Sequence, residues 1–242
     1  MPRKAQTASL ADRQPAPGGV AAVDRALSLL AAFRGGDLAL TLAQLSARTG
    51  LYKSTVLRLL ASLEHARLLQ RLDNGSYALG SEAARLGALH ATSFSLDRVV
   101  LPVLRELVAA TGESAAYHVR QGAARLCLFR VDSPHPVRDH IRAGDLLPLE
   151  RGTGGRVLTA FDPERSATAG AADRKLLAGI RHRGYMAGSG DRLAEVAGIS
   201  APVFHADGRL AAALTLTMPS HRFQERFIQP VLDGAKRLSG QV

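Results

Sequence analysis

The segment "LYKSTVLRLLASLEHARLLQRLDNGSYALG", Leu51–Gly80, decides the fold of the N-terminal part of the chain. Apolar residues recur in it at helical spacing, which predicts a helix over about residues 52–65 that docks by one face. That stripe consists of Val56, Leu59, Leu60 and Leu63. Behind the helix, Asn74-Gly75 separates two short apolar runs, and Asn-Gly in this position is a strong signal for a β-hairpin.

Two more helices are predicted before this segment. The stretch "AAVDRALSLLAAF" has apolar residues at helical spacing, with Val23 and Leu27 among them, and Gly35-Gly36 ends it. The stretch "LTLAQLSARTG" begins with Thr41 and Gln44 in the arrangement of a capping box. Three helices followed by a hairpin are the element order of a winged helix-turn-helix, which we assign to residues 20–80.

The third helix is predicted to enter the major groove of DNA with its N-terminal residues toward the base edges. Arg58 can bind guanine through two hydrogen bonds, worth about 1–3 kcal/mol of discrimination, whereas Lys53 is expected on phosphate. A solvated helix face is the alternative that composition alone favours, and the order of helices and wing favours DNA. The predicted DNA-binding residues are Lys53, Ser54, Thr55, Arg58, Ser62, Arg71, Asn74 and Ser76.

The net positive charge of the chain is compatible with a polyanionic partner but does not establish one. The chain has 242 residues, 46% of them hydrophobic, and a net charge of +10. Residues 1–82 hold 10 Lys/Arg and 6 Asp/Glu, a net of +4, and residues 83–242 hold 21 and 15, a net of +6. The positive charge is not concentrated in the predicted DNA-binding part, so the prediction rests on the pattern of elements.

The location of the protein can be predicted from what the sequence lacks. Cys127 is the single cysteine, which excludes an intrachain disulfide. No apolar run reaches the roughly 18 residues needed to cross a membrane, and residues 1–19, predicted as a flexible tail, lack the apolar stretch of a secretory signal. We therefore expect a cytoplasmic protein with no membrane partner.

The rest of the chain is predicted as a linker helix and a second domain. Residues 81–96 form the linker helix, with Leu86 and Leu89 as a modest apolar face. Residues 97–242 alternate predicted strands and helices, which indicates an α+β domain with a largely antiparallel sheet.

Small and hydroxyl-bearing residues are the candidates for a ligand site in this second domain. Thr153, Gly154 and Gly155 form a turn that opens a helix, where free N–H groups suit a carboxylate; a purely structural turn is the alternative. Thr215 and Thr217 put both hydroxyls on one face of a strand, which either lines a cavity or faces solvent. Ser200 and Leu147 are predicted as further wall residues.

Motifs of catalysis are missing from the sequence. It contains no G-x-S-x-G, no H-E-x-x-H and no C-x-x-C. Cys127 lies in an apolar strand, where a core residue is more typical than a nucleophile, and His135, His140 and His182 suit structural or exposed positions. We predict no catalytic residue, no metal site and no cofactor, although folding could gather scattered Asp and His into a metal site.

The chain resembles the IclR-type bacterial transcriptional regulators over nearly its whole length. The stretches that carry the resemblance are "AVDRALSLLAAF", "LTLAQLSARTGLYKSTVLRLLASLE", "LPLERGTGGRVLTAF", "RHRGY" and "GISAPVFHADGRLAAALTLTMP". The resemblance implies an N-terminal winged helix-turn-helix, a linker helix and a GAF-like C-terminal domain that binds a small effector. It also implies homodimers or homotetramers on a partly palindromic operator, and it favours a cavity beside Thr215 and Thr217.

Two positions depart from the family pattern, so the identity of the effector cannot be carried over. Arg156 stands where the family usually has Lys, and Gly198 where it often has Cys or Ser. The sequence predicts a transcriptional regulator that binds double-stranded operator DNA and a small organic acid. We predict that it acts as a repressor rather than as an activator. The alternatives are a small-molecule-converting enzyme and a constitutive DNA-binding protein with a non-functional pocket.

Overall fold

The computed structural model describes residues 9–13, 15–93 and 96–242. The chain divides into two compact units, residues 1–93 and residues 94–242, and each is described by itself. Residues 1–8 and 14 of the predicted tail, and residues 94–95 of the predicted linker helix, lie outside the described residues.

The first unit is a helix-turn-helix with a two-stranded wing, as the sequence predicts. Its elements are α1 (Leu10–Arg13), α2 (Ala21–Ala31), α3 (Leu42–Thr49), α4 (Lys53–His65), β1 (Leu69–Arg71), β2 (Tyr77–Leu79) and α5 (Ser81–Ser93). Strands β1 and β2 are antiparallel, and Leu40 adds a bridge to Tyr77. The capping box of α3 forms, because the Gln44 N–H donates to Thr41 Oγ1 at 3.3 Å and the Thr41 N–H donates to Gln44 Oε1 at 2.8 Å.

The structure corrects one detail of the first unit and adds another. The predicted tail contains the one-turn helix α1, which Asp12 ties to Arg25 of α2 by an ion pair of 2.7 Å. In α2 the buried side chain is Leu29, at 0% exposure, whereas Val23 and Leu27 are each 53% exposed. Helix α2 carries two apolar stripes, and the core takes the one that faces α3 and α4.

The second unit contains a six-stranded antiparallel sheet with helices on both faces, which confirms the predicted α+β class. The strand order is β5-β4-β3-β8-β7-β6. Its elements are α6 (Leu96–Thr111), β3 (Ser114–Gln121), β4 (Ala124–Val131), β5 (Leu146–Pro148), α7 (Thr153–Ala160), α8 (Pro163–Thr168), α9 (Ala171–Arg183), β6 (Met186–Ser189), β7 (Val196–Phe204), β8 (Leu210–Pro219) and α10 (Ile228–Leu238).

Alternation along the central strands sorts their side chains between the two faces. On β8, Leu214 and Leu216 pack in the core with α6 and α10. Thr215 and Thr217 point to the other face, where α7 lies. The hydroxyl groups of these threonines are therefore held under the first turn of α7.

Two segments of the second unit contain little regular structure or begin irregularly. Over residues 137–149 the strand is confined to β5, Leu146–Pro148. Two 3₁₀ turns precede α10 and place Pro230 in the first turn of that helix, where the missing N–H costs little. Across the described ranges, no helix is long and apolar enough to span a membrane.

Candidate functional site

Helix α4 presents a polar face whose position is fixed by its buried stripe. Val56, Leu60 and Leu63 are buried in the core of the first unit. Lys53 and Arg58 on the outer side are exposed. The predicted contact residues of α4 that share this outer side are Lys53, Ser54, Thr55, Arg58 and Ser62, with Thr55 half-buried and the others exposed.

The wing supplies a second polar surface but not through every predicted residue. Arg71 and Asn74 are exposed, and Gly75 takes the left-handed φ of +78° that the turn requires. Ser76 is buried, and its N–H and hydroxyl both donate to Asn74 Oδ1, at 3.0 and 2.6 Å. The Ser76 hydroxyl therefore holds the turn together and is not offered at the surface, which corrects its predicted place among the DNA contacts.

The second unit contains a small cavity, of about 30 Å³, between the sheet and α7. Its walls come from β3, β4, α7, β7, β8 and the loop between β6 and β7. The polar lining residues are His118, Arg125, Thr153, Asp191, Arg192, Thr215 and Thr217.

Arg125 of β4 is the unusual member of this lining. It is 3% exposed. It makes neither a hydrogen bond nor an ion pair with any residue of the described part of the chain, and its Nε is a buried donor without an acceptor there. Burial, and then the charge of Arg192, lower the pKa of Arg125 to about 10. A buried guanidinium is normally paired, so this one has the properties of a ligand-binding group.

A chain of buried hydroxyls crosses the floor of the cavity. Thr153 Oγ1 lies 2.7 Å from Ser200 Oγ, which lies 2.9 Å from Thr215 Oγ1. Thr215 Oγ1 in turn lies 3.3 Å from His118 Nδ1. The other ring nitrogen of His118, Nε2, is buried and has no partner among the described residues.

His118 is held neutral by its surroundings. Burial lowers its pKa well below the ordinary value, and the charges of Arg125, Arg130 and Arg192 lower it further. A neutral imidazole has one donor and one acceptor nitrogen, so the hydroxyl chain can run in either direction. The chain can therefore adjust to a ligand that donates or to one that accepts.

Asp139 balances two of the arginines behind the cavity. Its side chain is 1% exposed; it accepts a hydrogen bond from Arg130 and lies 3.5 Å from Arg192 Nη2. Arg130 also reaches Asp132 at 2.7 Å. Arg130 and Arg192 thus have carboxylate partners, whereas Arg125 has none within ion-pair distance among the described residues.

The two departures from the family pattern have local explanations. Arg156 donates to Asp173 at 2.8 Å and to Asp191 at 3.3 Å, so it clamps the loop that carries Asp191. A Cβ on Gly198 would lie 2.5 Å from Thr153 Oγ1, so a larger residue there would force Thr153 to move. Gly198 and Thr153 are therefore a matched pair.

The structure brings most of the predicted effector residues together and separates two. The cavity is lined by Thr153, Thr215 and Thr217. The Ser200 hydroxyl lies within hydrogen-bonding distance of the hydroxyls of Thr153 and Thr215. Gly154 lies against Arg125. Gly155 is different, because a Cβ there would meet the Leu149 carbonyl oxygen at 2.4 Å; its role is close backbone packing. Leu147 of β5 packs near Cys127 and Ile141 and does not line the cavity, which corrects both predictions.

The charged part of the lining was missed by the sequence analysis. His118 lies in β3 and Arg125 in β4, and a polar residue between two apolar neighbours is the available signal for each. Arg192 and Asp191 lie in a Gly- and Ser-rich loop, where charged residues are ordinary. Only folding shows that all four meet at one cavity.

Cys127 and the described acidic and histidine residues give no sign of catalysis or metal binding. Burial raises the pKa of the Cys127 thiol to about 12, so it is not an activated nucleophile. Among the residues that the structure describes, no group of three or more His, Cys, Asp or Glu could hold a metal ion.

Two family models match the chain. The IclR helix-turn-helix domain matches residues 22–73, and the bacterial transcriptional regulator IclR C-terminal domain matches residues 88–242. The glycerol operon regulatory protein of Streptomyces coelicolor is 28% identical over 235 residues, which cover 90% of this chain and 92% of that protein. The HTH-type transcriptional regulator BhcR of Paracoccus denitrificans is 29% identical over 245 residues, covering 92% and 87%.

Solved structures share the fold. An IclR transcriptional regulator from Alicyclobacillus acidocaldarius matches with a TM-score of 0.81 and 21% identity, covering 92% of this chain and 99% of that one. An IclR homolog from Microbacterium hydrocarbonoxydans, complexed with 4-hydroxybenzoate, matches with a TM-score of 0.79 and 23% identity, covering 91% and 98%. At these identities the likeness is one of fold.

Proposed function

The chain belongs to the IclR family of bacterial transcriptional regulators, and we propose that it is a repressor controlled by a small organic acid. DNA binding is the function of the family, whose members are regulators and not enzymes. The direction of regulation, the class of effector and the residues that contact each ligand are our proposal. The observation that carries it is the buried, unpaired Arg125 in a cavity of the second unit.

The DNA contacts are proposed from α4 and the wing. Arg58 reads a base in the major groove, and Ser54, Thr55 and Ser62 contact bases or phosphates nearby. Lys53, Arg71 and Asn74 position the protein on the backbone. The support is that these side chains are exposed or half-buried while the apolar stripe of α4 docks the helix.

The effector is proposed to lie in the cavity beneath α7. The cavity is about 30 Å³ in this structure, so a ligand of more than a few atoms must move its walls apart. Thr153, Thr215 and Thr217 offer hydroxyls to it, and Gly154 leaves its backbone open beside Arg125. A protein of the same fold is known with 4-hydroxybenzoate, so this fold can hold a small acid.

Control is proposed to act through linkage. An effector that binds the DNA-competent and DNA-incompetent arrangements unequally shifts their populations by the ratio of its two affinities. We further propose a homodimer or homotetramer in the cytoplasm, where the operator lies. The exposed Val20, Val23 and Leu27 of the first unit favour association, since together they form apolar surface that a partner copy can cover.

The DNA proposal is tested by selecting binding sites from a random pool of double-stranded DNA with the full chain. Arg58→Ala should flatten the preference at one position of the selected site, and Lys53→Ala should weaken binding to all sequences alike. If both variants select and bind the same site as the wild-type protein, α4 does not read DNA in the proposed way.

Effector control is tested on the selected site. Small carboxylic acids are added singly to the complex of protein and DNA, and dissociation is followed by fluorescence anisotropy. Release by at least one acid supports a repressor under acid control. Tighter binding with every active acid would favour an activator, and no response to any acid would favour a constitutive DNA-binding protein.

A further inference from the structure

We infer that Leu57 of α4 contacts the 5-methyl group of a thymine in the operator, close to the base that Arg58 contacts. This inference rests on the proposed function, since it adds a specificity-determining residue to the DNA-binding side of α4. It names a second base that the operator must contain and the side chain that selects it.

Leu57 is an apolar residue on the solvent side of the helix, where it is 47% exposed. Its neighbour Leu59 packs against the core of the first unit. Within the described part of that unit, Leu57 belongs neither to the core nor to the partly buried residues packed against it. The packing of the unit therefore does not explain why a bulky apolar side chain stands at this position.

The exposed side of α4 consists of two neighbouring rows, because residues four apart in a helix lie above one another. One row contains Ser54, Arg58 and Ser62, and the other contains Lys53, Leu57 and Ala61. All six residues are exposed. A duplex that Arg58 contacts from the first row therefore also meets Leu57 in the second.

The chemistry of leucine selects the base. A leucine side chain has no donor or acceptor, so it gains only from apolar contact. Of the four bases, only thymine presents a methyl group in the major groove. Against cytosine, whose amino group lies in the same groove, Leu57 would cover a donor without replacing its hydrogen bond to water.

The position of the thymine follows from the position of Leu57 beside Arg58. Consecutive residues of a helix advance about 1.5 Å along its axis, which is less than the spacing of about 3.4 Å between base pairs. The two side chains point in directions about 100° apart, so they contact different bases. We therefore expect the thymine within about two base pairs of the position that Arg58 contacts, on either strand.

The experiment starts from the site that the full chain selects, and replaces its thymines one at a time by deoxyuridine. Uracil pairs with adenine as thymine does and lacks only the methyl group. Affinity is measured by fluorescence anisotropy. One replacement near the Arg58 position should weaken binding of the wild-type protein about fourfold, the factor expected for the loss of one buried methyl group.

A second substitution separates the methyl group from the rest of the base. Cytosine at the same position should weaken wild-type binding at least about fivefold. Replacing that cytosine by 5-methylcytosine restores the methyl group alone, and it should recover about fourfold of the loss. Equal binding of cytosine and 5-methylcytosine would contradict a contact to the methyl group.

Leu57→Ala should bind the thymine and uracil sites equally at this position, and the exposed position of Leu57 leaves the fold of the variant intact. The matched control is Leu86→Ala, because Leu86 is also 47% exposed but lies on α5. Thr55→Ser is a second control, since it removes a methyl group from α4 and keeps the hydroxyl. Both controls should keep the fourfold ratio between thymine and uracil, whatever their overall affinity.

Two results would overturn the inference. The first is a selected site in which no thymine within two base pairs of the Arg58 position loses affinity when it becomes uracil. The second is a Leu57→Ala variant that distinguishes thymine from uracil as the wild-type protein does. Loss of the distinction in Thr55→Ser, with its retention in Leu57→Ala, would assign the methyl contact to Thr55 instead.

The inference and the proposed function fail separately in these measurements. If Arg58→Ala flattens the preference at one position while Leu57→Ala leaves every ratio of thymine to uracil unchanged, α4 contacts the bases without Leu57. If Arg58→Ala and Lys53→Ala also bind like the wild-type protein, the proposed role of α4 in DNA binding fails, and the role of Leu57 fails with it.

Discussion

The DNA-facing side of α4 and the cavity beneath α7 hold their cations in opposite conditions. Lys53 and Arg58 are exposed and stay hydrated until a ligand binds, so their charges do not lower the free energy of unfolding. Arg125 and Arg192 are removed from water, so the fold bears the cost of their desolvation before any ligand binds. A substitution in α4 should therefore change affinity alone, and one in the cavity should change stability as well.

The largest effect should come from Asp139→Asn. This change leaves Arg130 and Arg192 without the buried carboxylate that they share, and breaking such a pair costs about 3–5 kcal/mol. Denaturant unfolding of the full chain measures it. Asp132→Asn is the control, because Asp132 contacts the same Arg130 but is 51% exposed, and its loss should cost no more than about 1 kcal/mol. Equal losses for the two variants would show that burial does not set the difference.

A smaller effect is expected from Thr215→Val. The valine keeps the shape but leaves His118 Nδ1 without a buried partner and leaves the Ser200 hydroxyl with Thr153 alone, which costs about 1–3 kcal/mol. The control is Thr217→Val on the same strand face, because no hydrogen bond of the Thr217 side chain is found within the described ranges. Its stability should stay within about 0.5 kcal/mol of the wild type. If Thr217→Val lowers the free energy of unfolding as much as Thr215→Val does, the chain of hydroxyls does not stabilise the floor of the cavity.

The polar residues of α4 could be predicted from the sequence and the charged residues of the cavity could not, for a physical reason. In α4 the period of 3.6 residues sorts side chains into buried and exposed, and the polar residues found outside the stripe are the exposed ones. The same period predicted the helix α2, which forms over Ala21–Ala31, but it did not say which side is buried: Leu29 is in the core and Val23 and Leu27 are exposed. Periodicity finds an amphipathic face, but it cannot choose between two apolar faces of one helix.

In the cavity the local signals found the small residues and missed the charged ones. Thr153, Gly154, Thr215 and Thr217 were predicted from a turn and from strand alternation, which are local patterns. Arg125 comes within reach of Gly154 only through the pairing of β4, β3 and β8, and that pairing joins residues far apart in the chain. Strand order and register are not written in any short segment.

The stability of the second unit should depend on pH through His118. The folded state lowers the pKa of His118 through burial and through Arg125, Arg130 and Arg192, whereas the unfolded chain has the ordinary value near 6.5. The unfolded state then binds the extra proton in acid. Stability should be complete above about pH 7.5 and fall as pH drops through 6.5, with a slope of at most about 1.4 kcal/mol per pH unit from this residue. His118→Gln should remove that part of the slope in unfolding curves measured from pH 5 to about pH 8. An unchanged slope would show that His118 takes up its proton in the folded state.

The smallest effect on stability should come from Lys53→Ala, and it is the sharpest test of the comparison. Lys53 is the first residue of α4 and is exposed, so its removal should change the free energy of unfolding by less than about 0.5 kcal/mol. Its loss should nevertheless weaken binding to every DNA sequence and reduce the slope of log affinity against log salt by about one. If Lys53→Ala lowers the free energy of unfolding as much as the loss of a buried residue does, Lys53 supports the fold. The contrast between hydrated cations in α4 and buried cations in the cavity would then not hold.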